Sequence, residues 1–77
     1  MRLDEAESER RLKIFEIEST LDIKKKLSRL GIQKNDSLCK LNETKWGPIL
    51  IQNLSAHSSK LALGRELAEK IIVEYES

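Results

Sequence analysis

The order of short apolar runs in the last third of the chain limits the possible folds most strongly. Trp46-Gly47-Pro48 interrupts the chain before Ile49-Leu50-Ile51, and polar gaps separate this run from Leu61-Ala62-Leu63 and Ile71-Ile72-Val73. Apolar runs of this length, bounded by turn residues, are typical of strands packed around a core. The stretch contains no row of acids, histidines or cysteines. It therefore predicts a scaffold, and any function is expected on the surface.

The length and charge of the chain exclude several classes of function. Its 77 residues predict one domain spanning residues 1–77, and a chain this small buries only roughly 60% of its unfolded surface. We expect no room for both a core and a deep substrate cleft, and so no enzyme. The net charge is +1, from 14 basic and 13 acidic residues. A nucleic-acid-binding domain of this size usually has a clear basic excess, so no nucleic-acid partner is expected.

The sequence also predicts a cytoplasmic location. Cys39 is the single cysteine, so no internal disulfide can form, and small secreted domains usually need such bonds. The first residues are acidic and polar, unlike a signal peptide. The longest apolar run, Pro48 to Ile51, is far too short to span a bilayer. We expect no direct insertion into a membrane.

The first half of the chain predicts one strand and one helix. Leu12, Ile14 and Ile17 predict a strand, in which Leu12-Lys13-Ile14 alternates and Ile14 faces the core. Ser19 and Thr20 can start a helix, whose apolar stripe is Ile23, Leu27 and Leu30. Gly31 can end that helix in the left-handed conformation. The charged segment before the strand predicts either a frayed turn or a loose strand.

The complete pattern is mainly β, with one helix between the first two of about five strands. Closure into a small barrel would protect edges that so short a chain could not otherwise cover. A short C-terminal helical turn is predicted before the last strand. The segments predicted after the first helix are the strands Leu38 to Leu41, Ile49 to Ile51, Leu61 to Leu63 and Ile71 to Tyr75, and the helical turn Gly64 to Lys70.

Cys39 and His57 are the only soft metal-ligand candidates, and they lie 18 positions apart. Zinc or iron sites use three or four ligands in a tight shell, often from paired spacings. The residues around these two provide no such pair, so we interpret them as a strand thiol and a loop imidazole. A Cys–His hydrolase would further need an orienting third group and an oxyanion hole. The sequence therefore predicts no cofactor and no catalytic residue.

The basic run Lys24-Lys25-Lys26 with Arg29 is the only concentrated charge in the chain. On a short exposed helix, such residues usually face solvent and complement the negative helix end. The functional alternative is a patch for an acidic partner or an anionic membrane surface.

Trp46 is the only tryptophan, beside the Gly-Pro break. It either caps the barrel or anchors a partner, since tryptophan is enriched at binding hot spots.

Several blocks, taken in order, resemble the FeoA family of small proteins of bacterial ferrous iron transport. Leu3 to Ile17 resembles the family's opening segment and first strand, and Leu30-Gly31-Ile32 resembles the step that ends its helix. Gly47-Pro48-Ile49 resembles its Gly-Pro hairpin, and the residues from Leu61 to Val73 resemble its closing strand, helical turn and strand. The resemblance covers nearly the whole chain.

The resemblance implies an SH3-like β-barrel with a helix near the first strand. It also implies a cytoplasmic accessory that docks on FeoB, the ferrous iron transporter with a cytosolic GTP-binding domain, and modulates it. The contacts predicted for that partner are Trp46, Lys24, Lys25 and Arg29. Three alternatives stay open: an iron-binding or iron-sensing protein using Cys39 or His57, an SH3-like nucleic-acid-binding domain, and a relative of the C-terminal domain of DtxR-type repressors.

Overall fold

A computed structural model of the chain describes residues 1–43, 47–55 and 60–76. Within these residues the chain forms five strands, two α-helices and one 3-10 helix near the N-terminus. In chain order, the elements are the 3-10 helix Leu3–Glu5, β1 Arg11–Ile17, α1 Leu21–Arg29, β2 Ser37–Glu43, β3 Ile49–Asn53, β4 Lys60–Leu63, α2 Arg65–Ala68 and β5 Ile71–Tyr75.

The strands form one antiparallel sheet in the order β4-β3-β2-β1-β5. This confirms the predicted five strands and the helix between the first two. Within the described residues, β4 and β5 are the outer strands and do not pair with each other. Strand pairing alone therefore leaves the sheet open and does not confirm the predicted closed barrel.

Two irregular positions bend this sheet. The pairing of β1 with β5 shifts register between Ile14 and Glu16, and the pairing of β2 with β3 shifts between Lys40 and Asn42. An extra residue in one strand of an antiparallel pair increases the local twist and curls the strand. Both shifts thus bend a five-stranded sheet around a very small core.

Several element boundaries differ from the predictions. Strand β2 runs from Ser37 to Glu43, because its ladder with β3 continues past Leu41 as far as Glu43. Helix α2 has only four residues, because Gly64 caps its start and β5 already begins at Ile71. The N-terminal segment, predicted as either a frayed turn or a loose strand, forms the 3-10 helix, which is the turn alternative.

The core is formed by the inward residues of the strands, by one buried residue in each helix, and by Ala6 and Ile32. Alternation along β1 buries Leu12 and Ile14, which confirms that Ile14 faces the core, and Ile17 is buried beyond the register shift. Leu27 is the residue of α1 that is fully buried. The other buried apolar side chains are Leu3, Ala6, Ile32, Leu38, Ile49, Ile51, Leu63, Ala68, Ile71 and Val73.

The N-terminal segment Met1–Ala6, which we call the N-terminal strap, packs against β5. Arg2 forms an isolated bridge with Ile72, and the Val73 amide donates to the Met1 carbonyl at 2.7 Å. Leu3 and Ala6 are buried in the core. The strap therefore belongs to the folded domain, although half of its side chains are charged.

Lys40, on β2, is fully buried and binds the strap from inside. Its ammonium donates to the carbonyls of Leu3 at 3.3 Å, Asp4 at 3.1 Å and Ala6 at 2.7 Å. A cation suits these carbonyls, because they stand at the negative end of the 3-10 helix. Lys40 thus joins β2 to a segment more than thirty residues earlier in the chain.

Helix α1 begins and ends with the predicted capping chemistry. The Thr20 hydroxyl accepts from the Ile23 amide at the start. At the end, the Ile32 amide donates to Leu27 O and the Gly31 amide to Ser28 O, with Gly31 at φ 89°. This pair of bonds is a Schellman motif, and it folds Ile32 back onto the core beside the helix.

Gly31→Ala is expected to lower the free energy of unfolding by about 1–2 kcal/mol, since a side chain disfavours the left-handed conformation. A methyl group here would meet no atom within 4 Å, so the cost comes from the backbone alone. Gly64→Ala is the matched control, because Gly64 has the same open space but a φ of −62°. Urea denaturation of both variants checks this, and equal stability losses would contradict it.

Candidate functional site

Helix α1 packs against the core through a narrow stripe of apolar side chains. Leu27 is fully buried, and Ile23 packs against the core while half-exposed. Leu30, predicted to complete the stripe, is 43% exposed because it is the C-cap where the chain leaves the helix. Most of the helix surface therefore faces solvent. Within α1, Leu21 is the apolar residue with the greatest exposure, at 65%.

The predicted contacts Lys24, Lys25 and Arg29 are all exposed, but they do not form one patch. Successive helical residues are rotated by about 100°. Leu21, Lys25 and Arg29 therefore follow one another at spacings of four along the side opposite Leu27. We call these three residues the outer ridge.

The lysines on either side of the ridge line two different grooves. Lys26 lines a groove between α1 and α2, which we call the helix groove. Lys24 lines a second groove between α1 and β1, which we call the strand groove. The basic run in the sequence is thus distributed over three surfaces.

The helix groove combines apolar and cationic side chains. Ile23 and Leu67 are half-buried, pack against the core and contribute apolar surface to this groove. Three cations and one carboxylate also line it, so the local charge is positive: Lys26, Arg65, Lys70 and Glu66. Such a surface suits an acidic segment with an apolar side chain.

Several polar side chains that line the strand groove already form ion pairs or hydrogen bonds with other residues of the domain. Glu16 forms an ion pair with Lys34 at 3.8 Å, and the Gln33 side-chain amide donates to the Ser28 hydroxyl at 3.3 Å. Ile17 and Ile32 provide its apolar lining. A ligand here would have to compete with these contacts, so the helix groove is the better docking surface.

The structure places Cys39 on β2, where it is half-exposed. Its thiol lies 3.9 Å from the neighbouring Lys40 carbonyl oxygen. His57, the other proposed ligand, lies outside the described residues, as does Trp46. Across residues 1–43, 47–55 and 60–76, no group of three or more His, Cys, Asp or Glu side chains could hold a metal ion.

Sequence reasoning did not identify the helix groove. Its two sides come from α1 and α2, which lie about forty residues apart in the chain. The period of α1 places Ile23 and Lys26 side by side, which was the one available signal. Nothing local in the sequence shows that Arg65 and Lys70 face them.

Solved structures confirm the fold class, a mainly β domain of SH3-like type. An iron uptake regulatory protein, FeoA, is 21% identical with a TM-score of 0.88, covering 99% of this chain and 97% of its own. FeoA of Chlorobium tepidum is 23% identical with a TM-score of 0.84, covering 100% and 71%. FeoA of Stenotrophomonas maltophilia, described as a prokaryotic SH3 domain protein and solved with zinc, is 20% identical with a TM-score of 0.76, covering 96% and 89%.

The family model of the FeoA domain matches residues 1–75, so the chain belongs to the FeoA family. This family of small accessory proteins is associated with ferrous iron transport. No curated protein matches the sequence. In the part of the chain that the structure describes, no helix has the length and apolar character needed to cross a bilayer.

Proposed function

We propose that this protein is a non-catalytic, cytoplasmic accessory of bacterial ferrous iron uptake that docks on the cytosolic part of the FeoB transporter and modulates it. Membership of the FeoA family supports the association with iron transport. The S. maltophilia relative is itself described in terms of activating ferrous iron transport. The helix groove is the observation that carries the proposal, because it gives a docking partner both apolar area and charge.

The chemistry of the helix groove defines what the partner must present. Ile23 and Leu67 would cover an apolar side chain, and the cations Lys26 and Lys70 would face carboxylates. Charges at the edge of an interface steer association and fix orientation more than they add affinity. The partner segment should therefore be acidic, with one apolar residue at its centre.

Two of the predicted contacts stay within this proposal. Lys24 lines the neighbouring strand groove and adds to the positive field around α1. Trp46 remains a proposed contact outside the described residues. A domain with so little surface makes a small interface, and such interfaces are usually transient.

Titration of the purified FeoB cytosolic domain with two double variants tests the groove. Lys26→Gln/Lys70→Gln is expected to weaken binding about tenfold, because both rim charges are lost. The control, Lys13→Gln/Lys60→Gln, removes the same total charge from strands β1 and β4. It should leave the affinity within about twofold of wild type. Equal losses in both variants would show that only net charge matters and would contradict docking in the groove.

A further inference from the structure

The outer ridge is a convex, cationic surface with one protruding leucine. The Leu21 side chain is 65% exposed, although contact between an apolar side chain and water is unfavourable. Lys25 and Arg29 follow it at successive four-residue spacings, so the ridge is about 12 Å long at 1.5 Å per residue. The ridge residues line neither the helix groove nor the strand groove.

Helix α1 carries a large excess of positive over negative charge. The helix carries four cations and a single carboxylate, Asp22. Ion pairs between described residues involve none of these four cations. Lys24 and Lys26 stand on either side of the ridge, and their long side chains can bend toward whatever the ridge meets. A planar anionic surface would therefore contact Lys25 and Arg29 directly, while Lys24 and Lys26 add to the attraction from the two sides.

We infer that the outer ridge contacts an anionic lipid bilayer surface, with Leu21 entering the headgroup boundary and Lys25 and Arg29 facing lipid phosphates. This goes beyond the docking proposal and does not depend on it. A convex ridge has no groove in which a protein segment could bind. Lipid headgroups are mobile, so they can gather around cations that are spread over the ridge. The apolar stripe of α1 stays on the core of the domain, so the attraction is mainly that of basic residues for an anionic leaflet, with one exposed leucine adding apolar contact.

The inferred contact is weak on its own. Each Lys or Arg near an anionic leaflet strengthens binding by about fivefold, and one leucine adds a small apolar term. The ridge would therefore orient the domain against the membrane reversibly, with the two grooves on its flanks still accessible. For an accessory of a membrane transporter, this would increase encounters with the partner.

Co-sedimentation of the full chain with vesicles tests the inference. Wild type should bind vesicles of phosphatidylglycerol and phosphatidylcholine, and should bind pure phosphatidylcholine at least tenfold less. Raising the salt to about 0.5 M should release it, since screening shortens the range of the attraction. Lys25→Gln/Arg29→Gln should reduce binding about 25-fold, from two losses of about fivefold each. Leu21→Ser should reduce it severalfold.

Controls separate the ridge from general effects of charge and apolar exposure. Lys13→Gln/Lys60→Gln removes the same charge elsewhere, and Phe15→Ser removes another exposed apolar side chain, 56% exposed on β1. Both should bind vesicles like wild type. Equal binding to both lipid mixtures, or unchanged binding of the ridge double variant, would overturn the inference. Loss of FeoB-domain binding in that variant, with vesicle binding intact, would overturn it too and assign the ridge to an acidic protein.

Discussion

Lys40→Met is expected to lower the free energy of unfolding by about 2–4 kcal/mol, a large share of the stability of a small domain. Methionine fills a similar volume but cannot donate hydrogen bonds. The carbonyls of Leu3, Asp4 and Ala6 would then lose the ammonium that they accept from. The Leu3 carbonyl keeps the Ala6 amide as a donor at 3.2 Å, but loss of the ammonium at the other two carbonyls is costly, and the N-terminal strap would lose this attachment to β2.

Urea denaturation of Lys40→Met checks this expectation, with Lys60→Met as the control. Lys60 is also on a strand but is exposed, so its replacement should change stability by less than about 0.5 kcal/mol. Hydrogen exchange should show the Val73 amide, which donates to the strap at Met1, losing protection first in Lys40→Met. Similar stabilities of the two variants would show that Lys40 is not what holds the strap.

Leu27→Ala is the second large effect, with an expected loss of about 2–5 kcal/mol. Leu27 is the fully buried residue of α1. Its backbone carbonyl also accepts a hydrogen bond from the Ile32 amide in the motif that ends the helix. Truncating its side chain leaves a cavity beneath the helix and weakens the packing that holds α1 against the sheet. Both the helix groove and the outer ridge depend on that position of α1.

The matched control for this prediction is Leu21→Ala, on the same helix. Leu21 is 65% exposed, so losing its side chain should cost less than about 0.5 kcal/mol. Thermal unfolding followed by circular dichroism separates the two variants. If Leu21→Ala destabilised the domain as much as Leu27→Ala, Leu21 would be a core residue, and its assignment to a free ridge would be wrong.

Much of the fold follows from local patterns in the sequence. The alternation of Leu12 and Ile14 places β1, and the four-residue spacing of Ile23 and Leu27 places the buried stripe of α1. Gly31 ends α1 with the predicted motif. These features need only neighbouring residues, so the sequence displays them directly.

Lys40 shows why other features could not be predicted. Because side chains alternate along a strand, Lys40 lies on the same inward side of β2 as Leu38. Its charge, however, predicts that it is exposed. Its carbonyl partners lie 34 to 37 residues earlier, so no local pattern reveals them. The helix groove is hidden for the same reason, because α2 supplies one of its sides from a distant part of the chain.

The most direct test of the central claim is calorimetric titration of the wild-type chain into the purified cytosolic domain of FeoB at physiological salt. Docking predicts saturable binding at one chain per domain, with a dissociation constant of about 10⁻⁶ to 10⁻⁴ M for so small an interface. The binding should weaken as salt is raised, because the groove is cationic. Heat no greater than that of dilution, with both proteins folded, would contradict the claim.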